Sequence, residues 1–207
     1  MIRLFVAALL MAVAAGPSRA DDIVLGWSTA RMPPPPALKP VRVDPARTAL
    51  LLLDFDTHNC TADKRVRCFA SLPAVSALLY SARSHGTAVV YSTAGTATLA
   101  DVPPPLGART GDPVVHAGVD KFLGTKMESI LKARNVRTVI VTGTSAHGAV
   151  LYTASEAALR GLDVVVPVDG LSADDPFAEL VATWTLANAP VSVSSHVTLT
   201  RSDQIGY

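Results

Sequence analysis

Aromatic side chains make up only 5% of this 207-residue chain, and cysteine occurs twice. Charge of neither sign dominates, with 18 basic residues against 17 acidic ones. Without a basic surplus there is no electrostatic footprint for nucleic acid, so a nucleic-acid partner is not expected. Past the first 20 residues no apolar run approaches the roughly 20 residues that span a bilayer, so the remaining chain is not expected to sit in a membrane. With two cysteines, a four-cysteine metal site is excluded and one disulfide at most can form, the alternatives being two free thiols or a metal-binding pair.

What is present begins with "MIRLFVAALLMAVAAGPSRA". One early positive charge at Arg3 precedes an apolar run from Leu4 to Ala15, then Gly16-Pro17 breaks it. Ser18 and Ala20 occupy the −3 and −1 positions of a small-residue cleavage site before Asp21. This is the pattern of an export signal over residues 1–20, and it predicts a periplasmic or secreted protein. Removing Arg3 and Arg19 leaves 16 basic and 17 acidic residues. In an oxidising compartment, Cys60 and Cys68 are expected to pair as a disulfide. Residues 21–47, with "MPPPPALKP" at their centre, read as an extended surface segment. Residues 48–207 are then long enough for one domain with a substantial core.

Within that domain the pattern alternates. Apolar runs at Ala49–Asp54, Thr87–Ser92, Val114–His116, Val136–Thr142, Leu162–Val168 and Val191–Thr200 read as strands, several of them apolar on successive residues, as in strands covered on both faces. Between them, Leu72, Val75, Leu78, Leu79 and Ala82 recur at helical spacing, with Gly86 as the stop. Thr125 and Glu128 form a capping-box pattern. His147–Arg160 reads as a helix ended by Gly161. Asp174 or Asp175 caps a last helix with Phe177, Leu180, Val181 and Trp184 as its buried stripe. The fold class is therefore α/β: a three-layer α/β/α sandwich around a mainly parallel sheet of about six strands. Ligands in such sheets bind at the carboxyl ends of the strands. Two segments end there, "LLLLDFDTHNC" with Asp54 and "GTSAHG" after the strand Val136–Thr142.

Taken alone, an apolar strand running into Asp54-x-Asp56 has the opening pattern of haloacid-dehalogenase-type phosphatases, although His58 stands where that pattern carries Thr or Val. A longer resemblance draws on more of the chain. Lys121 before "FLGT", the strand into Gly143, the "AVLYTASEAALRG" helix and Asp169 after the next strand, together with Asp54, recur in order over roughly residues 48–170. In these features the chain resembles the isochorismatase-like hydrolase superfamily, which includes isochorismatases, nicotinamidases and related cysteine amidases. The resemblance implies the same three-layer sandwich and an active centre of Asp, Lys and usually Cys. Carried over by position, these fall on Asp54, Lys121 and Ala149.

Alanine offers no nucleophile, so the covalent route of the amidases is closed at that position. True isochorismatases likewise lack the cysteine and carry Ala-His just before it, as Ala146-His147 does here. Their aspartate is thought to act as a general acid, which needs a protonated carboxyl. The resemblance further implies a non-proline cis peptide near Thr144-Ser145 and a substrate pocket lined by Thr144, Ser145, Ala146, His147 and Ala149. It also implies a homo-oligomer and a small organic substrate, with Lys121 either orienting a substrate carboxylate or stabilising negative charge. Isochorismate itself is made inside cells, and so fits poorly with export. A second reading, from Ala149, is an inactive member kept as a binding or assembly module.

The other candidates have plainer readings. His58 with Asp54 and Asp56 lacks a third ligand and a recognisable metal spacing, so neither a metal nor a cofactor is expected. Asp56 orders its loop, Asp169 orders a turn, and "DKRVRC" with Lys64, Arg65 and Arg67 reads as a solvated loop. Trp184 reads as core or subunit interface.

Overall fold

The structure is a computed structural model that describes residues 22–207. The expected export signal, residues 1–20, lies outside the described residues, as does Asp21. Residues 22–34 belong to one unit and residues 35–207 form a second, compact one. In the first, Asp22 caps a single helical turn, Ile23–Gly26, accepting from the N–H groups of Val24 and Leu25 at 2.9 Å each. A 3₁₀ turn, Trp27–Thr29, follows. The expected extended conformation therefore begins only at Ala30, because Asp22 satisfies the first free N–H groups of a helical turn.

The compact unit is built on six parallel strands: β2 (Thr48–Leu53), β3 (Ala88–Thr93), β4 (Val114–His116), β5 (Thr138–Thr144), β6 (Asp163–Pro167) and β8 (Val197–Thr200). They lie in the order β4-β3-β2-β5-β6-β8, and a two-residue strand, β7 (Leu171–Ser172), pairs with the end of β5. Two short strands, β1 (Val41–Arg42) and β9 (Ile205–Gly206), pair in parallel beside this sheet. The helices are α1 (Val66–Ser84), α2 (Met127–Ala133), α3 (Leu151–Leu159), α4 (Pro176–Asn188) and α5 (Val191–Ser194).

The run of leucines in β2 explains the layering. Successive side chains of a strand point to opposite faces. Leu51 and Leu53 enter one core with residues of α2, α3 and α4, while Leu50 and Leu52 enter the other with Cys68, Leu72, Val75 and Leu79 of α1. All six residues of β2 are buried. A strand needs four consecutive apolar residues only when both faces are covered, so this is a sheet between two helical layers.

The strand order also contains a switch. From β2 the chain crosses to β3 and then β4 on one side, whereas from β5 it crosses to β6 and β8 on the other. The carboxyl ends of β2 and β5 therefore flank the point at which the winding reverses, where open α/β sheets form their ligand crevice.

Several expectations need correction. Val191–Ser194 is helical and only Val197–Thr200 is strand, since Pro190 opens a turn in which its carbonyl accepts from the Val193 N–H at 2.8 Å. In α4, Asp175 is the cap, accepting from the Phe177 N–H. The face turned to the core is Ala182, Thr183 and Leu186, while Phe177 and Trp184 remain 49% and 40% exposed. The larger residues dominate the sequence pattern, but the smaller ones let the helix approach the sheet. The Thr125–Glu128 capping box does not form. Thr125 Oγ1 accepts from the Met127 N–H and donates to the Lys121 carbonyl, and Glu128 turns to Lys132 and Arg160. The expected helix from His147 divides into a π turn, Ala146–Val150, and α3. Part of the expected solvated loop, from Val66 onward, is the first turn of α1.

The proline-rich segment has a structural role of its own. The Lys39 N–H donates to the Leu199 carbonyl of β8 at 2.9 Å, and Val43 pairs with Gly206. Around Lys39 the chain thus runs beside the outermost strand, where proline, unable to donate, is tolerated.

Candidate active site

β2 delivers Asp54 to the crevice in an unusual backbone state, with φ of 55°. Strict alternation would send its side chain to the α1 face with Leu50 and Leu52. The left-handed conformation interrupts that alternation, and Phe55 takes the α1 face instead. Aspartate tolerates this region better than most residues, yet a non-glycine residue there carries a cost that the surrounding structure must offset.

The partners of Asp54 supply that offset. Oδ1 accepts from Ser92 Oγ at 2.7 Å, and Oδ2 accepts from Lys121 Nζ at 2.6 Å. Ser92 is next to last in β3, the strand beside β2, so the sheet itself sets this contact. Lys121 is fully buried and the Asp54 side chain is 14% exposed. Besides Asp54, Lys121 Nζ donates to the carbonyls of Gly118 at 2.5 Å and Ala117 at 3.2 Å. An ammonium group has three N–H donors, and all three are taken. Lys121 therefore has no donor left for a ligand. Neither orienting a substrate carboxylate nor stabilising developing negative charge finds a free N–H on it; its ammonium group lies instead against the Asp54 carboxylate. The short loop that joins Lys121 directly to Phe122 is held by Asp120, whose carboxylate accepts from the Phe122 N–H, and by Thr153, which accepts from the Lys121 N–H.

The second wall comes from β5. Gly143 is the register partner of Leu53, and a Cβ at Gly143 would lie 2.5 Å from the Leu53 carbonyl oxygen. Only glycine permits this approach, at a φ of 153°. The Thr144–Ser145 peptide is cis, and Thr144 is buried. At Gly148 a Cβ would meet only the Ser145 hydroxyl, at 2.6 Å, a side chain that can rotate away. Ala146 and Ala149 are buried in the apolar cluster that contains Leu53, whereas His147 is exposed. The register of β2 and β5 thus sets Thr144 beside Asp54 at adjacent strand ends, with Ser145 and the π turn following, and Lys121 reaches Asp54 through its ammonium group.

The loop after Asp54 accounts for the remaining candidates. Asp56 does not join Asp54; its Oδ1 accepts from the N–H groups of His58 and Asn59, which closes a turn and leaves the phosphatase-like pattern without its second acid. His58 Nε2 lies 3.0 Å from Asp101 Oδ1. Hydrogen bonds from Thr98, together with His58, hold the Asp101 carboxyl below its ordinary pKa. Among the described residues no group of three His, Cys, Asp or Glu side chains is placed to hold a metal ion. Cys60 and Cys68 form a disulfide that fastens this loop to the first turns of α1. Asp169 accepts from the Ser202 N–H and hydroxyl, tying the turn after β6 to the chain beyond β8.

Arg65 was not anticipated. It precedes α1, and its Nη1 donates to Thr144 Oγ1 at 3.3 Å while Nε lies 3.3 Å from Asp174. Nothing in the sequence marks it, because the disulfide and the start of α1 decide where it points. Ser92 stands between Tyr91 and Thr93, which also carry hydroxyls, so the sequence does not single it out.

The crevice lies at the switch point of a doubly covered parallel sheet and contains an Asp–Lys pair, and a comparison of sequences agrees with it. The family model of the isochorismatase domain matches residues 48–197, most of the chain. The chain belongs to the isochorismatase family. Its fold recurs in a cysteine hydrolase of Pseudomonas syringae pv. phaseolicola, at 20% identity, a TM-score of 0.68, and coverage of 84% of this chain and 96% of that one. An N-carbamoylsarcosine amidase of Thermoplasma acidophilum matches at 21% and 0.64, covering 76% and 97%. A nicotinamidase/pyrazinamidase of Bacillus subtilis matches at 13% and 0.65, covering 75% and 100%. At these identities the likeness is one of fold. No curated protein sequence matches the chain. Members of the isochorismatase family are hydrolases.

Proposed function

We propose that this protein is an exported hydrolase of a small organic molecule, working through Asp54 and without a cysteine nucleophile. The observation that carries the reading is the 2.6 Å contact between Asp54 Oδ2 and Lys121 Nζ at the switch-point crevice. Asp54 is the proton-transfer group, Lys121 its charge partner, and water the nucleophile. Lys121, its donors spent, acts on substrate only through Asp54. A substrate carboxylate is oriented instead by Arg65, at the rim beside Thr144, through the guanidinium edge that Asp174 leaves open. The helix that opens at Ala146 starts at this same edge, and its first N–H groups suit developing negative charge. Export is supported by the Cys60–Cys68 disulfide, since such bonds persist in oxidising compartments. Self-association has support in the half-exposed Phe177 and Trp184 of α4.

The second reading, an inactive member that binds without turnover, is favoured by Ala149 and by the complete burial of Lys121. One panel separates the two: isochorismate for pyruvate release, nicotinamide and simple amides for ammonia, each with wild type and Asp54→Asn. Turnover that disappears in Asp54→Asn supports the hydrolase. Ammonia release unaffected by the substitution contradicts the Asp54 route, and binding without turnover by either protein favours the inactive member.

A further inference from the structure

The opposite end of the same strands holds a second cluster of charge. Arg47 precedes β2 and Arg137 precedes β5. The strands pair in register from Thr48 and Thr138, and the Arg137 N–H donates to the Arg47 carbonyl at 2.8 Å. The two arginines are therefore neighbours across the ladder, about 5 Å apart at their backbones. Like charges so placed oppose folding. Neither guanidinium has a carboxylate within 4.0 Å among the described residues, where the nearby ion pairs involve other cations.

Both line a cavity of about 630 Å³ together with Lys132, Arg134 and Arg160, and no acidic residue lines it. The whole chain is nearly neutral, with 18 basic residues against 17 acidic. Five cations around one cavity are thus a local feature, not part of a generally basic surface. Two of them are committed elsewhere: Lys132 and Arg160 converge on Glu128, and Arg160 also pairs with Glu156. Hydrogen bonding to Lys132 and the charge of Arg160 keep the Glu128 carboxyl below its ordinary pKa, as befits a partner already satisfied. Arg134 donates to the Ile130 carbonyl at 3.3 Å, at the end of α2, and among the described residues its guanidinium makes no other hydrogen bond. The turn beyond it is fixed, with Asn135 at a φ of 53°. Three arginines on rigid backbone thus face one cavity with their charge unmatched.

We propose that this cavity binds a small multivalent oxyanion, gripped by Arg47, Arg134 and Arg137. Arginine suits the task because its planar fork matches carboxylate and phosphate oxygens two at a time. The site lies a strand's length, about 20 Å, from Asp54, so it is a second site and does not depend on the proposed reaction.

The test is calorimetric titration of the folded protein with inorganic pyrophosphate and, separately, with citrate. Wild type, Arg47→Gln/Arg137→Gln and, as a control outside the cavity, Arg42→Gln are compared at low and high salt. Wild type and the control should bind at least one of the two anions with a Kd below about 1 mM. The double variant should bind at least about tenfold more weakly, and added salt should weaken wild type likewise. Tighter pyrophosphate would mark a phosphate-type ligand, and tighter citrate a carboxylate-type one. Without anion, the double variant should melt no lower than wild type, because the substitution removes repulsion. Should it fail to fold, Arg134→Gln alone must weaken binding. Equal affinity in the variants and wild type, or no binding of either anion with a Kd below about 1 mM, would overturn the proposal.

Discussion

At the residue scale, the Asp54–Lys121 pair couples chemistry to stability, because one member is fully buried and the other nearly so. Removing one partner of such a pair leaves a buried charge uncompensated, at about 3 kcal/mol or more. Asp54→Asn should therefore lower stability by about that amount, and turnover by roughly 10²–10⁴-fold. Adding Lys121→Met should restore much of the stability and none of the turnover. Chemical denaturation of both single variants and the double variant checks this, and additive losses would mean the pair is not coupled. Gly143 is the other sensitive position. A methyl group at Gly143 would fall 2.5 Å from the Leu53 carbonyl and 2.6 Å from Leu53 Cβ. Gly143→Ala must part the two central strands beside Asp54, so we expect a loss of about 3 kcal/mol and of any activity, read from melting and turnover together.

At the element scale, the loop from Asp56 to Arg65 owes its shape to the disulfide, which spans eight positions. Closing so short a loop contributes about 2–3 kcal/mol on the chain-entropy account. Cys60→Ser/Cys68→Ser should lower the melting temperature by roughly 5–10 °C. It should also loosen Arg65, whose contacts with Thr144 and Asp174 are the only side-chain ties it makes among the described residues. If Arg65 orients the substrate, reduction raises KM more than it lowers kcat. A fall in kcat at unchanged KM would assign the loop a purely structural role. The same loop bears on what the sequence could reveal. "DKRVRC" has no periodicity that distinguishes a solvated loop from the beginning of α1, and the pairing of Arg67 with Glu179 of α4 is a contact between distant segments.

At the scale of the whole molecule, two buried phenols make stability sensitive to alkali. Burial pushes Tyr91 up to about 12, with its hydroxyl donating to the Leu106 carbonyl at 2.7 Å. Burial does the same for Tyr207, also to about 12. A phenol that ionises near 10 when unfolded and near 12 when folded favours the native state fully below pH 10. That contribution is lost as pH rises from 10 towards 12, since the native state then holds protons the unfolded one has released. Denaturation midpoints should therefore fall over this interval, and Tyr91→Phe should flatten the fall. An unchanged slope would mean the phenol is not shielded as described.

The sequence by itself determined the layers, and it points to the strand ends as the place for a ligand. Four successive leucines before Asp54 require a strand covered on both faces, and the alternation of strand and helix fixes a parallel sheet with its crevice at the carboxyl ends. These are local, periodic signals that any fold of this chain must respect. What the tertiary structure decided is what those signals do not encode: the turning of Asp54 away from the α1 face by its left-handed backbone, the use of all three Lys121 donors, the core face of α4 carried by small residues, and the meeting of Arg47 with Arg137. Each depends on side chains brought together from segments far apart in sequence, and their distances are set by packing and register.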